Sequence, residues 1–124
     1  MSQSKILMVE DDQGLGNVYK TRLEAEGFIT EWVQDGEQAL GVALKFHPDL
    51  ILLDIMMPKI NGFDVLDILR NTPETAESKV IILSALNQPA DIERAKSLGA
   101  DEYMVKSQAV IADVVERIRY HLAH

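Results

Sequence analysis

The sequence contains no cysteine, which excludes disulfides and thiolate metal sites. Aromatic residues make up only 6% of it, so the core must be built mainly from aliphatic side chains. Positive charge is the minority sign: 12 Lys and Arg stand against 20 Asp and Glu, a formal net charge of −8. That balance argues against direct contact with nucleic acid or with an anionic membrane surface, because both need clustered cations. Long apolar runs are also missing. After Lys5, four apolar residues lead straight into Glu10, too few for a signal-peptide core or a membrane span. The expectation is a cytoplasmic protein without membrane contact.

With 124 residues, 47% of them hydrophobic, the chain can bury one ordinary core. No repeat, linker or low-complexity stretch divides it, so residues 1–124 read as a single domain. Three short runs are apolar at every position and end on a polar residue. Ile6-Leu7-Met8-Val9 stops at Glu10-Asp11-Asp12, Ile51-Leu52-Leu53 at Asp54, and Val80-Ile81-Ile82-Leu83 at Ser84. Runs of this kind fit central strands buried on both faces, as a parallel sheet requires. Phe28 to Val33 and Glu102 to Val105 read as edge strands, the first because Thr30 and Glu31 interrupt it.

Helical stripes lie between the strands. Leu15, Val18, Tyr19 and Leu23 precede Gly27, a left-handed stop; Ala39, Leu40, Ala43 and Leu44 precede His47-Pro48. Phe63, Leu66 and Leu69 precede Thr72-Pro73; Ile92, Ala95 and Leu98 precede Gly99. The last stripe is Val110, Ile111, Val114, Val115, Ile118 and Leu122. Five strand-then-helix units imply an α/β fold, a doubly wound five-stranded parallel sheet with helices on both faces.

In such a sheet the ligand site lies outside the carboxyl ends of the strands, where strand order reverses. Those ends carry Glu10, Asp11 and Asp12, then Asp54, Ser84 and Lys106. Crowded carboxylates raise one another's pKa unless a cation neutralises them, and oxygen-only donors suit a hard ion such as magnesium. An Asp in that setting can act as a covalent nucleophile toward phosphorus, with an ammonium and a hydroxyl to bind the phosphoryl oxygens. Asp12 is better read as a helix cap than as a metal ligand. The three histidines, His47, His121 and His124, have no metal-ligand spacing, and Trp32 reads as a packing residue.

Five segments carry a family resemblance: Met8-Val9-Glu10-Asp11-Asp12, Leu52-Leu53-Asp54-Ile55-Met56-Met57-Pro58, Asn61-Gly62, Leu83-Ser84-Ala85 and Tyr103-Met104-Val105-Lys106. Together they resemble the signature segments of two-component response-regulator receiver domains, in order and over essentially the whole chain. The resemblance implies the flavodoxin-like strand order 2-1-3-4-5. It implies Asp54 as phosphoryl acceptor, and Mg2+ held by Glu10, Asp11, Asp54 and the backbone carbonyl of Met56. Lys106 would contact the phosphoryl group, Ser84 would reorient on phosphorylation, and Tyr103 would move with it. Pro58 and Gly62 match the turn into the third helix.

The implied partner is a sensor histidine kinase or a histidine phosphotransfer protein. The implied output is partner binding or homodimer formation through the surface of the fourth helix, fifth strand and fifth helix. The protein would then be a signalling switch rather than an enzyme. A magnesium-dependent phosphohydrolase of the haloacid-dehalogenase type is the alternative, but it resembles Asp-x-Asp at the nucleophile, where this chain has Met56. A flavodoxin-like flavin binder is a weaker rival, since Glu10-Asp11-Asp12 would repel a flavin phosphate. One departure from the family pattern is Ser107, which stands where Pro usually follows the lysine. Without the proline ring a trans Lys106–Ser107 bond is expected, with Ser107 as N-cap of the last helix.

Overall fold

The computed structural model describes residues 3–124. Strands β1 (Lys5–Val9), β2 (Ile29–Val33), β3 (Leu50–Leu53), β4 (Lys79–Ser84) and β5 (Glu102–Val105) alternate with five helices. These are α1 (Gln13–Ala25), α2 (Gly36–Phe46), α3 (Gly62–Arg70), α4 (Pro89–Ser97) and α5 (Ile111–Ala123). All neighbouring strands pair in parallel, in the order β2-β1-β3-β4-β5 that the family resemblance implies.

Each central strand buries both faces, and the two-residue alternation divides its side chains between two cores. Leu7, Val9, Ile51, Leu53, Val80 and Ile82 pack beneath α2, α3 and α4. Ile6, Met8, Leu50, Leu52, Ile81 and Leu83 pack beneath α1 and α5. The same alternation, carried to the strand ends, divides the polar residues. Glu10, Asp54 and Lys106 continue the series that faces α1 and α5, while Ser84 continues the series that faces α4. Strand order reverses between β1 and β3, so the crevice opens beside Glu10 and Asp54.

The helix boundaries have local causes. The carboxylate of Asp12 accepts the Leu15 N–H at 3.0 Å and caps α1; Asp35 and Asn61 cap α2 and α3 in the same way. Helix α1 ends before Gly27, whose φ of +96° a side chain would strain.

Three expected core positions lie outside the core. Val18, Leu44 and Val110 are exposed. In α1 the buried line runs through Leu15, Tyr19 and Leu23, so Val18 falls with Arg22 and Ala25 on the outer side. In α2 the line runs through Ala39 and Ala43, which turns Leu44 outward. Val110 precedes the first turn of α5 and packs no helix face.

The turn after Lys106 also differs from expectation. The Lys106–Ser107 bond is trans, as expected without proline, and the described residues contain no cis peptide bond. Ser107, however, does not cap α5. The N–H groups of Gln108 and Ala109 both bond back to the Val105 carbonyl, forming a turn that delays the helix until Ile111. Val110 occupies the cap position with no side-chain hydrogen bond to the helix.

Candidate functional site

The ends of β1, β3 and β5 bring three charged side chains together. Lys106 Nζ lies 2.6 Å from Glu10 Oε1 and 2.7 Å from Asp54 Oδ2. Glu10 and Asp54 are 4% exposed each, so two carboxylates share one ammonium largely out of water. Burial of Lys106 works against its charge, but hydrogen bonds to Asp54 and Glu10 outweigh it and hold the ammonium above its usual pKa. Glu10 is pushed up by burial, although Lys106 and the Asp12 amide pull the other way.

The backbone fixes the two acids. Asp54 donates its N–H to the Val9 carbonyl and accepts the Met56 N–H on Oδ1 at 3.1 Å. Glu10 donates its N–H to Val33 O and accepts the Asp12 N–H on Oε2. Asp11 lies just beyond the strand end and is exposed. Glu10, Asp11 and Asp54 each offer a carboxylate oxygen, all within 4.8 Å of one another. Three hard oxygen donors with a single compensating lysine fit a small divalent cation, and magnesium suits such a set.

Gly62 keeps the acceptor loop closed. Its N–H bonds to Ile55 O at 2.8 Å, and an added Cβ would lie 2.5 Å from Ile55 Cα and 2.6 Å from Asp54 O. Only glycine lets the start of α3 approach Asp54 so closely. Met56 gives its amide to Asp54 while its side chain is exposed. Pro58 lies in the exposed turn between the two.

Ser84 and Tyr103 form a separate pair on the α4 side. Ser84 is fully buried, and its Oγ accepts the Leu86 N–H at 3.2 Å. The Tyr103 hydroxyl donates to the Leu86 carbonyl at 2.7 Å. One residue of the β4–α4 loop therefore joins the strand-end hydroxyl to the phenol on β5. The three histidines stay apart from this region: His47 ends α2 in the left-handed conformation, and His121 pairs with Glu102 at 2.7 Å.

Two residues near the acids were not legible as such in the sequence. Trp32 was expected only to pack, yet its Nε1–H donates to Glu10 O at 2.8 Å. The register pairs Met8 with Trp32, so a long side chain near the end of β2 can reach the end of β1. Tyr19, expected in the core, also lines a cavity of about 10 Å³ with Glu10 and Asp54.

Similarity to known proteins agrees with this geometry. The family model of the response regulator receiver domain matches residues 6–119. The chain is 47% identical over 103 residues to the transcriptional regulatory protein CpxR of Escherichia coli, covering 83% of this chain and 43% of that protein. It is 35% identical over 115 residues to the DNA-binding dual master transcriptional regulator RpaA of Synechocystis, covering 93% and 47%. The chain thus spans about half the length of the curated relatives it matches or less. Among solved structures, the BeF3-activated N-terminal receiver domain of Klebsiella pneumoniae RstA superposes with a TM-score of 0.90 at 28% identity, over 98% of this chain and 100% of that one. The receiver domain of the Francisella response regulator 1452 gives 0.90 at 30% identity, over 98% of each. With the fold, the strand order and a match over nearly its whole length in agreement, the chain belongs to the family of response regulator receiver domains of two-component systems.

Proposed function

We propose that Asp54 accepts a phosphoryl group from the phosphohistidine of a sensor kinase or phosphotransfer protein. The observation that carries this reading is the contact of Lys106 with both Asp54 and Glu10 at the switch point of the sheet. An Asp54 oxygen would form the new bond to phosphorus as the bond to the donor's histidine nitrogen breaks. Lys106 would then bind an oxygen of the transferred group, whose charge it offsets. Glu10, Asp11, Asp54 and the Met56 carbonyl would hold Mg2+, which supplies the charge neutralisation that three carboxylates and a phosphoryl group require. The haloacid-dehalogenase type of phosphohydrolase is not favoured, since Met56 cannot serve as the second acid of its motif.

In this reading residues 1–124 form one receiver domain that acts as a signalling switch rather than as a turnover enzyme, working in the cytoplasm. No described helix is long and apolar enough to cross a membrane. Phosphorylation would draw the Ser84 hydroxyl toward the phosphoryl group and release the loop that Tyr103 also holds. Helix α4 suits such a change, because Ala95 is its only buried residue and no side chain caps its N-terminus. The surface of α4, β5 and α5 would then carry the output, through a partner or a second copy. Direct nucleic-acid contact is not assigned to these residues, whose net charge is −8. The DNA binding in the name of the Synechocystis relative belongs to a protein of which the match covers 47%.

The test is incubation with acetyl phosphate and Mg2+, followed by intact-mass measurement. Wild type gains one phosphoryl group; Asp54→Asn and an EDTA-treated sample gain none. Full labelling of either would overturn the reading.

A further inference from the structure

We infer that Trp32 is a positioning residue for the acid cluster: its indole N–H holds the Glu10–Asp11 peptide in the orientation that lets Glu10 and Asp11 share a cation with Asp54. The inference rests on the reading of that cluster as a Mg2+ site and adds a residue to it.

The first ground is the hydrogen-bond ladder. Val9 pairs with Val33, and the Glu10 N–H still bonds to Val33 O at 3.0 Å. A continued parallel ladder would next bring a β2 backbone N–H to the Glu10 carbonyl. The second strand ends at Val33, Asp35 caps α2 with its side chain, and no backbone N–H bonds to the Glu10 carbonyl among the described residues. The indole of Trp32 takes over that bond at 2.8 Å, extending the ladder by one side-chain rung.

The second ground is the seat of the ring. Trp32 packs with the core beneath α1 and α5. It lies against Gly16, where an added Cβ would sit 2.0 Å from Cζ2 of the indole. Gly16 is buried in the second turn of α1, and its lack of a side chain makes the slot that the ring fills. A half-buried ring clamped between a helix and the sheet presents its N–H in one direction.

The third ground is the position of Asp11. Its neighbours are tied: Asp12 caps α1, and the Glu10 carboxylate binds Lys106 and the Asp12 amide. No hydrogen bond reaches the Asp11 side chain among the described residues, so its place is set by the peptides on either side. The peptide on its N-terminal side is the one whose carbonyl Trp32 holds. Partners that orient a metal ligand commonly matter for affinity nearly as much as the ligand itself.

The test is calorimetric titration of Mg2+ into the full chain, for wild type and Trp32→Phe, which keeps a ring but lacks the donor. Trp32→Phe should bind Mg2+ about tenfold more weakly, the lower end of the loss when such an orienting partner is removed. Because Trp32 is the only tryptophan, its indole N–H gives a single NMR signal in wild type. That signal should shift during the same titration, with the calorimetric midpoint, and Asp11→Asn should abolish the shift. The NMR arm stands even if Trp32→Phe fails to fold. A purely structural role would lower the melting temperature of Trp32→Phe without changing its Mg2+ affinity. Equal affinities, or an indole signal that does not move while wild type binds the ion, overturn the inference and leave the functional reading intact. A wild type that binds no Mg2+ overturns both.

Discussion

Lys106 Nζ lies 2.7 Å from Asp54 Oδ2, so the residue proposed to receive the phosphoryl group rests against the cation proposed to stabilise it. The same ammonium is 2.6 Å from Glu10, which makes it the counter-charge for two buried acids. Lys106→Ala leaves those acids facing each other without a cation. The variant should lose about 2 kcal/mol in EDTA, less than a fully buried pair because the lysine side chain is 22% exposed. Mg2+ should restore much of that loss, so the rise in melting temperature on adding the ion should be larger for Lys106→Ala than for wild type. Thermal melts with and without Mg2+ check this; an equal or smaller rise contradicts it.

The Ser84–Leu86–Tyr103 chain of hydrogen bonds predicts a separation between accepting phosphate and responding to it. Ser84→Val removes the hydroxyl that accepts the Leu86 N–H. It should still be labelled by acetyl phosphate, while phosphate-dependent association measured by sedimentation or light scattering is lost. Association that rises equally in wild type and Ser84→Val would defeat the switch role of the hydroxyl.

Two apolar neighbours predict a long-lived aspartyl phosphate. Hydrolysis needs a water placed in line behind phosphorus, and polar side chains near the site would orient it. Met56 and Leu86 stand two residues beyond Asp54 and Ser84, and neither offers a polar atom suited to that task. Met56→Asn and Leu86→Glu should therefore shorten the half-life seen in phosphate-release assays. Decay that is unchanged or slower in both variants counts against the account.

Away from the site, Glu102 sets a pH dependence. Burial opposes its charge, but hydrogen bonds from Arg117 and His121 prevail and lower its pKa. A carboxylate lowered in the folded state stabilises fully above its unfolded pKa of about 4.3, and that gain fades as pH falls through the folded value. Glu102→Gln should cost roughly 0.5–1 kcal/mol at neutral pH, allowing for the partial exposure of the pair. Denaturant melts should show the wild-type advantage shrinking as pH falls below about 4.3 and on through the lowered folded-state pKa. A constant difference across that range would contradict the assignment.

The strands were legible because short, fully apolar runs such as Ile6–Val9, alternating with helical stripes, fit a sheet covered on both faces, whereas their order followed from the family resemblance. The acid cluster was legible because those runs end on charged residues, and strand ends converge at a switch point. Less accessible was anything that depends on side-chain reach between neighbouring strands. Trp32 reads as packing until the register sets it beside Met8, from which its N–H extends to Glu10. The outward turn of Val18 was hidden for a related reason: an apolar stripe four residues wide does not reveal which edge the sheet covers. Ser107 looked like a cap because its side chain suits one, yet Val105 captures the two following amides and moves the helix start to Ile111.

The central claim, that Asp54 is the residue modified, is tested most directly by trapping the acyl phosphate. Borohydride reduction after acetyl phosphate treatment converts a phosphorylated aspartate into homoserine, which tandem mass spectrometry locates by residue. The account predicts homoserine at position 54 alone, and none when Mg2+ is withheld. Homoserine at Asp11, Asp12 or any other aspartate, or none anywhere in a sample that carries the label, would contradict it.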